Sequence, residues 1–394
     1  MTIDNFKQEI DKLFPCRWKE IFFEDIRETF NRYTNIVSKI DKIEQDTLDK
    51  VSNLCNRILK VIELDYNGQK GNAITEFHTI MNGDARTNGL FASIGSVNIN
   101  PQEYYFRARK REIGVDFSIQ DMFHIPLNKR GIASTQRYSF PGFPCLYLGN
   151  SVYSCWEELR RPSFDNLMFS AYKVKYAFKV FDMRIPNDSD YKEEAIARTI
   201  ERIPLILACS FVVKNPSDFF KPEYTISQML IETIIDNNRK ITEHEKSPID
   251  EDVIWGVIYT STHISNDIPY GKQFLENIVL PVIESNKSTY CYCLASLFDI
   301  SRPLCYENKS LKEDTTNVLE EFIDQEKYKK EILRESYKQS QMGYFENKLK
   351  NTKFETLPHL VIGSPTAGIT LNNEESAINI PVRSSGSFTV EINS

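Results

Sequence analysis

Four short stretches of the chain carry residue types suited to chemistry on an anionic, sugar-bearing ligand. The first is Tyr105-Phe106-Arg107-Ala108-Arg109. Its aromatic neighbours argue that Arg107 is at least half-buried, and a buried guanidinium needs an anion. That anion could be a carboxylate, with Glu157 or Glu158 as the partner. It could equally be a phosphate, which the planar arginine fork meets with two parallel bonds. The second stretch is Arg137-Tyr138-Ser139-Phe140 followed by Pro141-Gly142-Phe143-Pro144. Pro-Gly fixes a tight turn, so Arg137 either meets an anion beside that turn or simply caps a surface loop.

The third stretch runs from Tyr147 to the adjacent pair Glu157-Glu158. Tyr147 reads as core filler or as a rigid ring able to stack on a flat heterocycle. Asn150-Ser151 suits the start of a helix, which puts Glu158 in its first turns. There it is either an exposed helical glutamate or a carboxylate that faces a pocket, where it could bind a ribose hydroxyl or stabilise developing positive charge. Only one of the two glutamates can face such a pocket, and the spacing from Tyr147 selects Glu158. The fourth stretch is Gly256-Val257-Ile258-Tyr259-Thr260-Ser261-Thr262-His263, a strand ending in small hydroxyls. Ser261 is strand filler or an orienting hydroxyl, and Ser227 competes with it for the same role. No G-x-S-x-G elbow supports a serine hydrolase, and His263 stands too near Ser261 in sequence to be a persuasive triad base.

The elements that must hold these residues follow from periodicity. Apolar positions at Phe6, Ile10, Leu13 and Phe14, at Ile26, Phe30, Tyr33, Ile36 and Ile40, and at Leu48, Val51, Leu54, Ile58 and Ile62 recur at helical spacing. With a short helix over 74–81, residues 1–81 read as an N-terminal helical bundle. A loop-like boundary covers 82–102. Residues 103–305 read as a mixed α+β region, with strands at 104–109, 146–148, 169–181 and 253–259 and a helix at 225–238. The apolar run 203–213 reads as a strand or core segment. Residues 316–350 read as one charged helix with few apolar anchors, and 351–394 as polar with β-like pieces at 357–362 and 388–392, so 316–394 forms a C-terminal extension.

Taken together, the pieces resemble the RES family, named for an Arg, a Glu and a Ser found in that order, here Arg107, Glu158 and Ser261. Phe106–Arg109, Arg137–Leu148, Glu158 and Gly256–Ser261 carry the likeness, which covers roughly half the chain. The resemblance implies an ADP-ribosyltransferase-like fold, a mixed β core with helices, here preceded by the helical bundle. It implies NAD⁺ as substrate, with no cofactor, and cleavage of the nicotinamide–ribose bond with phosphate or water as acceptor. It also implies a bacterial toxin or defence effector with an antitoxin or regulatory protein as partner. Carried onto this chain, Arg107 would bind the phosphates, Tyr147 would pack beside the nicotinamide, and Glu158 would hold its ribose. Arg137, Tyr138, Ser227 and Ser261 would complete the pocket. The N-terminal bundle and C-terminal extension depart from the compact toxins of the family. Two rival readings remain: transfer of ADP-ribose to a macromolecule, and a nucleotide-sensing module without turnover.

Composition limits the rest. The 394 residues suggest two or three domains, and a net charge of −7 argues against nucleic acid as the main partner. Among the eight cysteines, Cys291 and Cys293 form a C-x-C with no second pair at zinc spacing. Reduced, partly buried thiols and no metal are therefore expected. The N-terminus has no apolar leader core, and no run reaches the ~18 apolar residues of a membrane span. These features point to a cytoplasmic protein, with homo-oligomerisation left open.

Overall fold

The computed structural model describes residues 1–41, 43–84, 88–93, 95–243, 253–262, 275–283, 289–306 and 326–357, with side chains left aside at 240–243 and 326–332. His263, residues 316–325 and the tail from 358 onward, including the expected β-like piece at 388–392, lie outside the described residues. No helix among the described residues is long and apolar enough to cross a membrane.

Four helices open the chain: α1 (Ile3–Asp11), α2 (Phe22–Val37), α3 (Gln45–Tyr66) and α4 (Lys70–Asn82). Most of the expected apolar positions lie on their buried faces, while Leu13, Phe14 and Ile40 fall past the ends of α1 and α2. Phe6, Ile26, Phe30, Tyr33, Ile58 and Phe77 are all closed to solvent. Each such side chain contributes about 1.5–3 kcal/mol by burial. The stripes do not close on one another alone. They share one core with α7 (Ile196–Cys209) and α8 (Thr225–Glu243) and with the sheet residues Phe181, Val257 and Val279. The Tyr33 hydroxyl donates to the Ile200 carbonyl at 2.6 Å, and the Asn82 and Asn237 amides exchange bonds. The helices thus form one layer on the sheet.

The run 203–213, expected as a strand or core segment, is mostly the second half of α7. Every residue from Ile203 to Cys209 is buried, and a segment buried on all sides has lost the polar face whose spacing would tell helix from strand. The alternation over 169–181 is two strands rather than one, β4 (Leu167–Val174) and β5 (Phe178–Met183), separated by a turn that keeps the alternating parity.

Among the described residues the sheet has ten strands. The others are β1 (Ser96–Ile99), β2 (Tyr104–Lys110), β3 (Cys145–Gly149), β6 (Ile254–Thr260), β7 (Glu276–Pro281), β8 (Phe298–Ser301), β9 (Leu304–Cys305) and β10 (Phe354–Thr356). Spatial order is β1-β5-β6-β7-β3-β2-β4-β8-β10, with β9 beside β4. Among these strands only β5 and β6 pair in parallel. This is the α+β class, with a helical region at the N-terminus. Its decisive feature is a seam. Strands β2 and β3 pair through a single residue couple, Phe106 with Gly149, whereas β2 and β4 pair over seven. Two half-sheets therefore meet at β2/β3 and part on either side of that point.

The charged segment expected as one helix over 316–350 contains two among the described residues, α10 (Glu326–Gln339) and α11 (Gln341–Lys350). Ser340 breaks them by capping α11 through the Gly343 amide. Despite the sparse apolar content, Tyr337, Phe345 and Leu349 are buried, and β10 then joins the edge of the main sheet.

Candidate functional site

The Pro-Gly turn forms as expected, closed by the Phe143 amide on the Phe140 carbonyl at 3.1 Å. It delivers β3 to the seam. Helix α6 (Val152–Glu158) starts at once, because Ser151 caps it by accepting from the Ser154 amide. Gly149 permits this tight junction, since a Cβ there would lie 3.0 Å from the Cys155 sulfur. The helix stops as abruptly. Arg160 and Arg161 hold φ of +65° and +52°, a conformation costing roughly 1–2 kcal/mol each outside glycine. Arg161 turns back so that its Nε lies 3.0 Å from both Glu157 oxygens.

That ion pair separates the two glutamates. Glu157 is buried and held by Arg161. Glu158 points the other way, and its Oε1 accepts from Asn277 Nδ2 at 2.6 Å. Asn277 is itself fixed by Ser154 Oγ, which donates to its Oδ1 at 2.7 Å. Tyr259 stands beside the same amide. Burial first, then the Glu158 charge, keeps its hydroxyl protonated well above the ordinary tyrosine range. Tyr224 is also close to Glu158, with its pKa raised mainly by burial. Aromatic hydroxyls and an amide thus stand around Glu158, and the Asn277 bond gives its carboxyl group a direction.

Arg137 closes the far side of this cluster, 5.2 Å over the Tyr224 ring. It is buried, and its donors go to the carbonyls of Cys209 and Phe211 at 2.7 Å each and to Thr262 Oγ1 at 3.0 Å. It thus ties the turn to α7 and to the end of β6. Tyr138 is fully buried against Tyr259, their rings 4.6 Å apart. The half-buried Tyr147 ring shares this region, with its hydroxyl 3.2 Å from Ser139 Oγ. Ser227 lies in the first turn of α8, donating to the Tyr224 carbonyl at 3.1 Å. Ser261 is buried just past β6, its amide bonded to the Leu275 carbonyl. Glu158, Arg137, Tyr138, Tyr147 and Ser227 thus gather around Tyr224 and Tyr259, with Ser261 at the end of the adjoining strand.

Arg107 sits at the seam instead. Its Nη1 donates across the gap to the Tyr147 carbonyl at 3.1 Å. Among the described residues no carboxylate forms an ion pair with it, so the salt bridge to Glu157 or Glu158 weighed from the sequence is not what holds it. Its Nε is buried without a hydrogen-bond partner, and so is the hydroxyl of Ser170, the residue paired with it on β4. Burial pushes the Arg107 pKa down from the usual arginine value. His124 lies nearby as a neutral ring. Its Nδ1 lies 2.7 Å from the Ile125 carbonyl and its Nε2 accepts from the Cys291 amide at 2.8 Å. Desolvation first, with the Arg107 charge contributing, lowers its pKa to about 4. Cys155 bridges the two groups, since its thiol feels both the Arg107 and the Glu158 charge.

Sequence reasoning missed Asn277, Tyr224, Ser170, His124 and Gln228. Gln228 Nε2 holds Thr135, Gln136 and Ser139, and so the turn, in place. Asn277 alone left a signal, a polar residue inside the apolar strand Glu276–Pro281. A cavity of about 750 Å³ opens elsewhere, beside Arg111, Met168, Cys305 and Lys348. At that cavity Arg302 is spent on Glu355 at 3.0 Å, and Arg111 lies 3.6 Å from Asp116, whereas the seam holds unpaired buried donors.

Over 313 residues the chain is 31% identical to a protein of Bacillus subtilis (strain 168) named "Putative toxin YopC". The aligned stretch covers 73% of this chain and 67% of that relative. The chain belongs to the YopC family. No family model matches it, and neither does any solved structure. The YopC match spans too much of this chain to exclude the sheet, so relationship and seam geometry bear on the same region.

Proposed function

We propose that this YopC-family chain is a toxin that cleaves the nicotinamide–ribose bond of NAD⁺, as its resemblance to the RES family implies. The observation that supports the reading is the seam: a half-buried arginine with no carboxylate partner among the described residues, its buried Nε and the neighbouring Ser170 hydroxyl both unbonded, close to a helix that presents Glu158. Buried polar groups are almost always satisfied, so two adjacent orphans suit a ligand that brings oxygens with it. A pyrophosphate supplies them and neutralises the guanidinium.

The chemistry asks little more. The nicotinamide ring nitrogen is cationic, so the ring leaves as a neutral molecule and the ribose C1 becomes oxocarbenium-like. Glu158, held by Asn277, supplies directed negative charge to that cation or to the ribose hydroxyl next to it. Anchoring the phosphates at Arg107 spends remote binding energy on orienting the bond. Water or phosphate then attacks C1, giving ADP-ribose with a proton, or ADP-ribose 1″-phosphate. NAD⁺ here is substrate, not cofactor. Toxicity is read from the name of the relative and would follow from NAD⁺ loss, with an antitoxin or regulatory protein as the partner that restrains it.

The test is incubation of the purified full chain with NAD⁺, with and without inorganic phosphate, with products resolved by chromatography. Nicotinamide release is expected, and the second product identifies the acceptor. Saturable NAD⁺ binding without nicotinamide release would instead establish a nucleotide sensor, and label transferred to protein would establish ADP-ribosylation.

A further inference from the structure

Helix α6 carries Glu158 but has only seven residues, too few to hold itself in place. Its N-terminus is gripped from outside the sheet by the C-terminal helical hairpin. Glu346 on α11 is buried, and its Oε1 accepts from the Val152 amide, the first of the helix, at 2.7 Å. The same oxygen receives a short bond from the Tyr337 hydroxyl on α10, and the Tyr153 amide reaches that hydroxyl at 3.4 Å. Ser151 satisfies the Ser154 amide. Three successive donors at the start of α6 are therefore met, two of them by residues nearly 200 positions away. Phe345 and Leu349 seat the hairpin on Val152, Cys155, Phe106 and Phe169. Gly343 makes the fit possible: a Cβ there would lie 2.1 Å from the Tyr337 carbonyl.

We propose that the α10–α11 hairpin is a positioning clamp for the candidate site, with Glu346 and Tyr337 fixing the start of α6 and thereby the aim of Glu158 at its end. Glu346 touches no ligand in this arrangement; it acts through the helix. The kinetic part of the proposal rests on the NAD⁺ reading above, whereas the mechanical part does not. Burial raises the Glu346 carboxyl pKa, so this cap is held at a cost that packing of Phe345 and Leu349 offsets. A group that docks or lifts the hairpin would switch the site without entering it.

The test uses the full chain and three variants: Glu346→Ala, Glu346→Gln and Tyr337→Phe. Hydrogen exchange at the amides of 152–158 should quicken in Glu346→Ala while exchange at 104–110 stays unchanged. With NAD⁺, kcat should fall about 100-fold, the loss expected when a reacting group is misplaced by about 1 Å, while the NAD⁺ Kd stays within about twofold. Glu346→Gln keeps a carbonyl acceptor and should recover most of the rate. Unchanged exchange across α6, or an unchanged kcat in an active enzyme, overturns the clamp. Should Glu346→Ala fail to fold, Tyr337→Phe decides alone, since it removes only the hydroxyl: quickened α6 exchange supports the clamp and unchanged exchange overturns it. If the wild type releases no nicotinamide, the NAD⁺ reading falls and the exchange measurements still judge the clamp.

Discussion

Arg107, half-buried with its Nε closed to solvent, and Arg202, buried, have opposite surroundings. Arg202 on α7 lies 3.2 Å from Asp182 and 3.2 Å from Asp190. Asp182 is shared with Arg184, which also reaches Glu276 at 3.5 Å. Charges there cancel inside the protein, and the network fastens α7 to the ends of β5 and β7. Among the described residues Arg107 has a backbone carbonyl and no carboxylate partner. Arg202 Nε is also buried without a hydrogen-bond partner, so an orphaned Nε does not by itself mark a ligand site. The difference is charge, since a buried charge is costly unless paired, and Arg202 is paired by two carboxylates whereas Arg107 is not. Arg137 is intermediate: buried and without a carboxylate, yet with its donors on carbonyls and Thr262. Burial alone therefore does not mark a ligand site; the identity of the partners does.

The comparison can be broken most directly at Arg202. Arg202→Ala leaves Asp182 and Asp190 short of a partner and should destabilise the fold by about 3–5 kcal/mol in denaturant unfolding. A loss below ~1 kcal/mol would mean the network is not structural. Next comes the split between the glutamates. Glu158→Ala should lower nicotinamide release about 10²–10³-fold with little change in unfolding, while Glu157→Ala should lower stability and leave the rate per folded molecule near wild type. The reverse pattern would exchange their roles.

Acid separates the two regions by pH. The folded-state pKa of His124, about 4, lies below the 6.5 of the free side chain. The unfolded chain therefore takes up a proton as pH falls through 6.5, and the folded one does so only near 4. Stability from this group is full above pH 6.5 and is lost between 6.5 and about 4, on the order of 3 kcal/mol in all. His124→Gln should flatten that part of the pH–stability curve. Asp182 behaves differently. Burial pushes its carboxyl up, but the bonds to Arg184 and the charge of Arg202 outweigh it and hold the carboxyl below the ordinary 3.8. Its contribution is present above 3.8 and is lost as pH falls through its lower folded value, so the two regions should fail in successive windows. The smallest effect on stability is expected at Arg107 itself. Arg107→Ala should leave unfolding within ~1 kcal/mol of wild type, yet weaken NAD⁺ binding by about 1.5–3 kcal/mol per charge-assisted bond removed. Unchanged affinity in equilibrium dialysis would take the phosphates away from the seam.

Much of the fold was legible where periodicity is strong. The stripes from Phe6 to Ile62 and the helix from Thr225 are as expected, because an amphipathic face records which side is buried. The run 203–213 was not legible, since a helix buried all round leaves no such record. Nor was the break in 169–181, where Tyr176 keeps the alternation through the turn. Short spacing rules placed the Pro-Gly turn and the Ser151 cap. They could not see Asn277, which is more than 100 residues from the Glu158 it holds.

The sequence by itself determined the local devices: the turn at Pro141-Gly142, the start of α6 and the amphipathic helices of the first layer. These depend on contacts within a few residues, so residue type and spacing suffice. Only the tertiary structure decided that Asn277 holds Glu158 and Arg161 holds Glu157, which arginine lacks a carboxylate, and that a C-terminal hairpin caps the helix carrying Glu158. Those outcomes depend on partners brought together by strand order across the seam, and the free energy of a buried charge is set by such partners rather than by its neighbours in the chain.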